Sequence, residues 1–326
     1  TFTADSPTAD NLSADTYSAG DFGAGRIAGR GWLVEYVRHE DELFAVVVRG
    51  GGCELRRVGS YAEVSEAVIR VRYHLRRRNL RDAGPGLVSM PEGDLVALDD
   101  MLMGPLVRDS GPVTVVPTGA LHTLPWPLLP SLRGRPMSVN SHAGGSGGVY
   151  ERDCTVVGVA GPGLVHAVDE VRMVTGVHKN GVVVPAVKGA VVEALGYAGV
   201  LHIAAHGMFS PRSPMLSSIT LDDGPLMAYE LLRVGRVPPV VVLSACEAGM
   251  AHAPMDGVTW GLAGAFLERG ARCVIAGVVP VRDDEAQALM IRFHELLAAG
   301  HSPSEALAQA SAETDVPGFA CFGTGS

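Results

Sequence analysis

The second half of the chain alternates uniformly apolar runs with segments of helical length, and this alternation is its strongest constraint on the fold. The runs "CTVVGVA", "GVLHIAA", "PVVVLS" and "RCVIAGVV" show almost no alternation of apolar with polar residues. Strands of this kind are buried on both faces, as in a parallel sheet. Helical segments of about ten to fifteen residues between them are typical of βαβ units. We therefore predict an α/β fold, a three-layer α/β/α sandwich with a mostly parallel sheet.

Local patterns predict the individual elements. In the second half we expect strands at residues 154–160, 182–185, 199–205, 217–222, 239–244 and 272–279. Helices are expected at residues 165–176, 188–197, 227–233, 256–269, 284–299 and 303–314. The first half resembles a smaller α/β unit, with strands at 32–38, 43–49, 53–58 and 113–117 and helices at 61–82 and 94–108.

Composition suggests how the chain is divided. Residues 1–22 are polar and small, so we expect a disordered arm there. Residues 23–140 form the N-terminal α/β part, 141–150 a flexible linker, and 151–326 the larger domain. The linker contains "GGSGG", which an engineer also writes to replace a loop, so a natural and an engineered origin both stay open.

Charge and cysteine usage indicate a soluble cytoplasmic protein. The net charge of −9 argues against unspecific binding to nucleic acid or to an anionic membrane. Five cysteines, an odd number without a C-x-x-C pair, suit a reducing compartment. The chain has no apolar stretch of the ~18–20 residues that a membrane span needs, and its first residues do not resemble a signal peptide.

Two reactive side chains follow predicted strands. His206 comes just after "LHIAA", and Cys246 follows "VVVLSA" 40 residues later. If the two strands are neighbours, both side chains lie at the carboxyl edge of the sheet, where an imidazole can activate a thiol. The backbone amides of Gly207 and Cys246 could then stabilise an oxyanion, and the small Ser244 leaves room for a substrate. Each residue alone also fits a structural role, because a buried cysteine often serves only as a small apolar group.

Other sites fit the sequence poorly. "GGSGG" matches G-x-S-x-G, but a serine nucleophile elbow needs a strand before it and a helix after it. His202 and His206 are four residues apart, as in zinc-binding helices, yet their segment reads as a strand and lacks the glutamate of H-E-x-x-H. No phosphate-binding G-x-x-x-x-G-K-[ST] occurs. We expect no metal and no cofactor.

Four blocks of the chain resemble a known family. "LHIAAHG", "PMLSSITLDDGPLMAYELL", "VVVLSACEAG" and "GLAGAFLERGARCVIAGVVPVRDDEA" are similar to the CHAT family of caspase-like and separase-like cysteine peptidases. "VTVVPTGALHTLPW" and "GFACFGTG" extend the resemblance to about residues 85–325. The order agrees, with the histidine block before the cysteine block. The resemblance implies a caspase-like fold, a pseudo-protease-like N-terminal part, and a dyad of His206 as base and Cys246 as nucleophile.

The resemblance also implies a specificity. "VRDDE" is similar to the separase segment whose acidic residue receives a basic P1 side chain, so Asp283 or Asp284 would bind Arg or Lys. The same aspartates also fit the first turn of a helix, where acidic residues are favoured. An acidic P1 would instead need a basic pocket, which Arg212 or Arg282 could supply.

These inferences predict a cysteine endopeptidase that cleaves a partner protein, in a bacterial defence or signalling system as the resemblance implies. No 34-residue helical repeat is visible, so we expect the regulator to be either a separate protein or the pseudo-protease-like N-terminal part itself. Two alternatives stay open: a catalytically silent scaffold of the same fold, and another cysteine-dependent hydrolase or transferase.

Overall fold

The structure is a computed structural model. It describes residues 17–18, 31–81, 92–104, 106, 109–141, 151, 153–210, 213–245 and 261–325, with the side chains of 17–18 and 76–81 outside the description. Cys246, Arg212, nearly all of the predicted arm and all of the predicted linker except Ser141 therefore lie outside the described residues.

The strands in chain order are β1 (Tyr17–Ser18), β2 (Trp32–His39), β3 (Glu42–Arg49), β4 (Gly52–Ser60), β5 (Val113–Val116), β6 (Met137–Val139), β7 (Val156–Ala160), β8 (Gly181–Val184), β9 (Val200–Ala204), β10 (Gly207–Met208), β11 (Ser218–Leu221), β12 (Gly224–Met227), β13 (Val240–Ser244), β14 (Cys273–Gly277) and β15 (Phe319–Gly323).

The helices are α1 (Tyr61–Arg81), α2 (Glu92–Leu102), α3 (Ala167–Gly176), α4 (Lys188–Tyr197), α5 (Ala228–Leu231), α6 (Gly261–Glu268), α7 (Asp283–Ala299) and α8 (Pro303–Thr314). Short 3₁₀ helices cover Gly119–Thr123, Trp126–Leu128, Pro130–Leu132 and Pro214–Leu216. Among the described helices, none combines the length and apolarity that crossing a bilayer requires.

One large sheet runs through both halves of the chain. Its strand order is β1-β4-β3-β2-β5-β6-β15-β14-β13-β9-β7-β8, and β10, β11 and β12 form a small separate sheet. The strands from β14 to β8 are all parallel, and so are those from β2 to β15. β15 and β14 join the two blocks in antiparallel fashion. The predicted α/β class with a mostly parallel sheet is therefore confirmed.

The sheet lies between two helix layers. α3, α7 and α8 pack on one face, whereas α1, α2, α4, α5 and α6 pack on the other. Side chains of the central strands alternate between the two layers. Val200 and Val242 pack in the core on the side of α7 and α8, whereas Leu201 and Leu243 pack in the core on the opposite side. Every residue of β9 and β13 is buried, as the apolar runs predicted.

Most predicted elements are present, with differences at their ends. The predicted helix 94–108 ends at Leu102, because Gly104 and Pro105 follow and cannot continue it. The short strands β6, β12 and β15 were not predicted. Of the predicted helix 256–269, residues 261–268 form α6 and residues 256–260 lie outside the description. Tyr17 and Ser18, within the predicted arm, pair with β4.

Gly158 in the middle of β7 lets α3 pack closely on the sheet. A methyl group at this position would lie 2.6 Å from Cγ1 of Val171 and 2.7 Å from Cγ2 of Thr175, both on α3. Such contacts are shorter than van der Waals packing allows. The helix could accept a larger residue at position 158 only by moving away from the strands.

We predict that Gly158→Ala lowers the free energy of unfolding by about 1–3 kcal/mol, as overpacked core substitutions do. Gly196→Ala is the matched control, because Gly196 is exposed on α4 with nothing near its missing side chain. The control should be stabilised by up to about 1 kcal/mol, since alanine favours a helix over glycine. Urea denaturation measures both changes, and equal effects at the two positions would contradict the close approach of α3.

Candidate active site

The two strands that lead to His206 and Cys246 are neighbours. β9 and β13 run parallel in a register that pairs Val200 with Val240 and Ala204 with Ser244. The Ala205 amide also donates a hydrogen bond to the Ser244 carbonyl at 3.3 Å. Along the chain, His206 comes two residues after Ala204, and Cys246 comes two residues after Ser244. The predicted adjacency of the strands is therefore confirmed, whereas the contact between sulfur and imidazole stays a prediction.

His206 is exposed at the carboxyl edge of the sheet. The preceding Ala205 is buried, so the chain leaves the core within one residue. The His206 carbonyl accepts a hydrogen bond from the Thr220 amide of β11 at 2.9 Å. Because backbone bonds hold this turn, the imidazole is presented from a fixed position at the edge.

The loop after β7 packs against the His206 ring. A methyl group at Gly163 would lie 3.2 Å from Nε2 and 3.3 Å from Cδ2 of His206, with no other ring atom within 4 Å. The Nε2–Cδ2 edge therefore faces this loop, and Nδ1 is the ring atom opposite it. Gly163 has a φ of +86°, a conformation that glycine adopts without strain. Sequence reasoning did not single out this residue, although the "GPG" after a buried strand was a signal.

The Gly207 amide is not used by the ladder between β10 and β11. Gly207 pairs with Ile219 in the antiparallel ladder of β10 and β11, and the neighbouring Thr220 amide bonds to the His206 carbonyl. In such a ladder, bonded and non-bonded pairs alternate, so Gly207 belongs to a non-bonded pair. Its N–H points away from β11.

Ser244 lies deeper than a substrate contact requires. It ends β13 with 5% of its surface exposed, and the following Ala245 is 4% exposed. Both residues are buried below the carboxyl edge of the sheet. Burial of both residues gives no support to the predicted substrate contact of Ser244, which stays a prediction.

Asp283 and Asp284 have different partners. The Asp283 carboxylate accepts a hydrogen bond from the His166 amide at 2.9 Å, and so joins the start of α7 to the segment before α3. Asp284 is exposed and paired with Arg282 at 2.8 Å, and this hydrogen bond lowers the pKa of the Asp284 carboxyl. The predicted helix-start role fits both residues, since both lie in the first turn of α7.

The part of the chain that the structure describes holds no group of three or more histidine, cysteine, aspartate or glutamate side chains that could bind a metal ion. His202 does not share a site with His206. It is fully buried in the middle of β9, whereas His206 is exposed beyond the strand.

We predict that Gly163→Ala disturbs the His206 ring, because the added methyl meets Nε2. Gly224→Ala is the control, since Gly224 also has a positive φ, of +116°, but has nothing within 4 Å of its missing side chain. Both variants should lose about 1 kcal/mol of stability from backbone strain. Only Gly163→Ala should shift the His206 imidazole resonances in an NMR spectrum. Unchanged His206 signals in that variant would show that the loop does not contact the ring.

Comparison with known proteins gives a domain-model match over part of the chain and a shared fold. Residues 158–314 match the family model of the CHAT domain. The curated proteins contain no match to the chain. Two crystal structures of the Saccharomyces cerevisiae separase–securin complex are similar, at 9% identity, with TM-scores of 0.58 and 0.59. Each covers 90% of this chain and 30% of the matched chain, so the present chain corresponds to less than a third of that protein.

A structure of the Porphyromonas gingivalis RgpB pro- and mature domains is also similar, at 11% identity and a TM-score of 0.46, covering 72% of this chain and 69% of that one. At such identities, the likeness to separase concerns the fold. The predicted resemblance to CHAT and separase-like proteins is confirmed. The chain carries a CHAT domain at residues 158–314, within the caspase-like α/β fold that separase also has.

Proposed function

We propose that this chain is a cysteine endopeptidase in which His206 is the general base and Cys246 the nucleophile. The observation that carries the proposal is the parallel pairing of β9 with β13. This pairing brings the segments leading to both residues to one edge of the sheet, in a fold of the caspase-like class. A thiol and an imidazole delivered from neighbouring strand ends are the arrangement that nucleophilic catalysis by cysteine requires.

The proposed reaction proceeds through a thioester. His206 takes the thiol proton of Cys246, and the thiolate sulfur attacks the carbonyl carbon of the scissile peptide. The electron pair of the carbonyl moves to its oxygen, where the Gly207 and Cys246 amides donate hydrogen bonds. The tetrahedral intermediate expels the amine, which receives the proton from His206. Water, deprotonated by His206, then hydrolyses the thioester and restores the thiol.

Nδ1 of His206 is the proposed basic atom. The Nε2–Cδ2 edge of the ring packs against the loop at Gly163, which leaves Nδ1 on the far side. The orientation of the Gly207 amide away from β11 supports its role as one oxyanion donor. Both features are local, and both depend on the turn that links β9 to β10.

We predict that Cys246→Ala abolishes peptide cleavage and that His206→Asn lowers kcat by about a hundredfold or more, the usual contribution of a general base. Cys154→Ala and His301→Asn are controls of the same residue types outside the proposed site, and both should keep wild-type activity. Fluorogenic peptides with Arg, Lys, Asp and Leu at P1 provide the assay. A fully active Cys246→Ala protein would end the proposal.

A catalytically silent scaffold is the second candidate. It is favoured if wild-type protein cleaves no substrate under conditions in which its fold is intact. If other acyl donors acylate Cys246 but no peptide is cleaved, the protein would instead be a transferase or another hydrolase. The P1 panel separates the peptidase from both alternatives.

We also propose that Asp283 binds a basic P1 side chain. Its carboxylate is bonded to the His166 amide through Oδ2, which leaves Oδ1 for a guanidinium or an ammonium group. Asp283 is the better candidate of the two aspartates, because Asp284 is neutralised by Arg282 on the surface. The same pairing makes Arg282 a poor receptor for an acidic P1 side chain.

We predict that Asp283→Asn lowers kcat/KM for substrates with Arg at P1 by about tenfold to a hundredfold, the worth of one charge-assisted hydrogen bond. The asparagine oxygen can still accept from the His166 amide, so the fold should persist. Asp284→Asn is the matched control and should change kcat/KM little. Equal activity of wild type and Asp283→Asn on Arg substrates would leave Asp283 with only its helix-joining role.

The natural substrate is proposed to be a partner protein, and the regulator a separate protein. The similar separase structures are of a complex with securin, which supports such control by analogy. Full cleavage activity of the isolated chain would argue against a required regulator. We further propose a cytoplasmic setting in bacterial defence or signalling, and recovery of the chain from a secreted fraction would contradict the cytoplasmic part.

A further inference from the structure

Four buried polar side chains form a continuous hydrogen-bonded row that the proposed reaction does not use. Nε2 of His178 lies 2.9 Å from Nδ1 of His294. Nε2 of His294 lies 3.1 Å from Nδ1 of His202, and Nε2 of His202 lies 2.9 Å from Oε1 of Glu170. We call this row the histidine chain.

The histidine chain crosses from the sheet to solvent. His202 lies on β9 and His294 on α7, and both are fully buried. Glu170 on α3 is 1% exposed, and His178 in the turn after α3 is 9% exposed. The chain therefore reaches the surface at His178. Its three hydrogen bonds join the central strand β9 to the helices α3 and α7 of one layer.

Among the described residues, the positions flanking His202 on the neighbouring strands carry no charge. The strands beside His202 present Gly158 and Val242 at its level. Two groups of charged side chains on the solvent side of α3, α7 and α8 bond to one another. They are Asp169 with Arg172, and Arg292 with Glu295 and Glu313.

The geometry permits two protonation states of the histidine chain in which every hydrogen bond is made. In the first, each imidazole is neutral and donates from Nε2 toward Glu170. In the second, His202 is an imidazolium that donates from both nitrogens, His294 donates from Nδ1 to His178, and Nδ1 of His178 carries the outward proton. The two differ by one proton. It binds Nδ1 of His178, the Nε2 proton of His178 passes to His294, and the Nε2 proton of His294 passes to His202.

Electrostatics favour the second protonation state of the histidine chain. The first leaves a buried carboxylate without a positive partner, which costs several kcal/mol. In the second the positive charge lies on His202, directly beside Glu170. Burial, together with His202 and His178, lowers the pKa of His294 well below its usual value, and burial and His202 lower that of His178. These lowered pKa values agree with the neutral form that both rings have in the second protonation state.

We propose that the histidine chain is a one-proton relay, which carries a proton between solvent at His178 and a charged His202–Glu170 pair that anchors α3 to β9. The His202–Glu170 pair is connected to the candidate site through the loop before α3. This loop contains Gly163, which packs against the His206 ring, and His166, which bonds to Asp283. The consequence for catalysis rests on the proposed function, whereas the relay itself does not.

The first test is an NMR measurement of the imidazole nitrogens in the full-length Cys246→Ala protein at pH 7. Two protonated nitrogens are expected on His202, and one each on His294 and His178. Glu170→Gln keeps a hydrogen-bond acceptor but removes the negative charge, so His202 should lose its positive charge in this variant. A neutral His202 in the Cys246→Ala protein without further changes would overturn the proposal, and no variant of Glu170 needs to fold for this result.

The second test separates a relay from a static network. In D2O, the His202 ring protons should exchange severalfold more slowly in His178→Gln than with His178 present, because glutamine bonds to His294 but cannot pass a proton. His39→Gln, at an exposed histidine on β2, is the control and should leave the exchange unchanged. Equal exchange rates with and without His178 would overturn the relay. Because the readouts come from an inactive protein, failure of the peptidase proposal would not affect them.

The buried rings also predict a direction for the pH dependence of stability. His178 and His294 have lowered pKa values in the folded state, so below about pH 6.5 these two residues bind more protons in the unfolded chain than in the folded one. Their contribution is present above that pH and is lost as the pH falls. His294→Leu should flatten the fall in unfolding free energy below pH 6.5, and an unchanged slope would contradict the neutral state assigned to His294.

Discussion

The parallel pairing of β9 with β13 is the constraint on which the candidate site depends. Both strands are buried along their whole length, so the core sets their register. A one-residue slip would exchange the faces of His202 and Leu201, separate His202 from Glu170 and place its polar ring in the core that contains Leu201. The same register that aligns Ala204 with Ser244 therefore also sets where the chain leaves the core at His206.

The helix layer of α3 and α7 connects the interior of the sheet with this edge. Gly158 allows α3 to lie close to β7, and Glu170 reaches His202 from that position. At the other end of the helix, the loop with Gly163 borders the His206 ring. The bond from the His166 amide to Asp283 joins the starts of α3 and α7. The layer of α3 and α7 therefore packs on β7, supplies the partner of His202 and borders the His206 ring.

Sequence patterns predicted the elements whose signals are local. The apolar runs of β9, β13 and β14 were recognised because full burial removes polar alternation. Strands such as β6, with three residues, and β15, which pairs antiparallel with β14, carry no comparable signal, since long-range pairing determines them. The strand ends at His206 and Cys246 were predicted. The bond of Asp283 to His166 and the bonds of the histidine chain join residues 32 to 117 positions apart, which no local pattern reveals.

The central claim is that the imidazole of His206 and the sulfur of Cys246 share one cleft, and the pH dependence of Cys246 alkylation tests it most directly. Iodoacetamide labelling can be followed by mass spectrometry, because Cys53, Cys273 and Cys321 are buried and should react slowly. We predict that Cys246 reacts with a midpoint well below the about 8.5 of an ordinary thiol, and that His206→Asn returns the midpoint to that value. Identical profiles near the ordinary value in both proteins would show that the two groups do not interact, and would contradict the account.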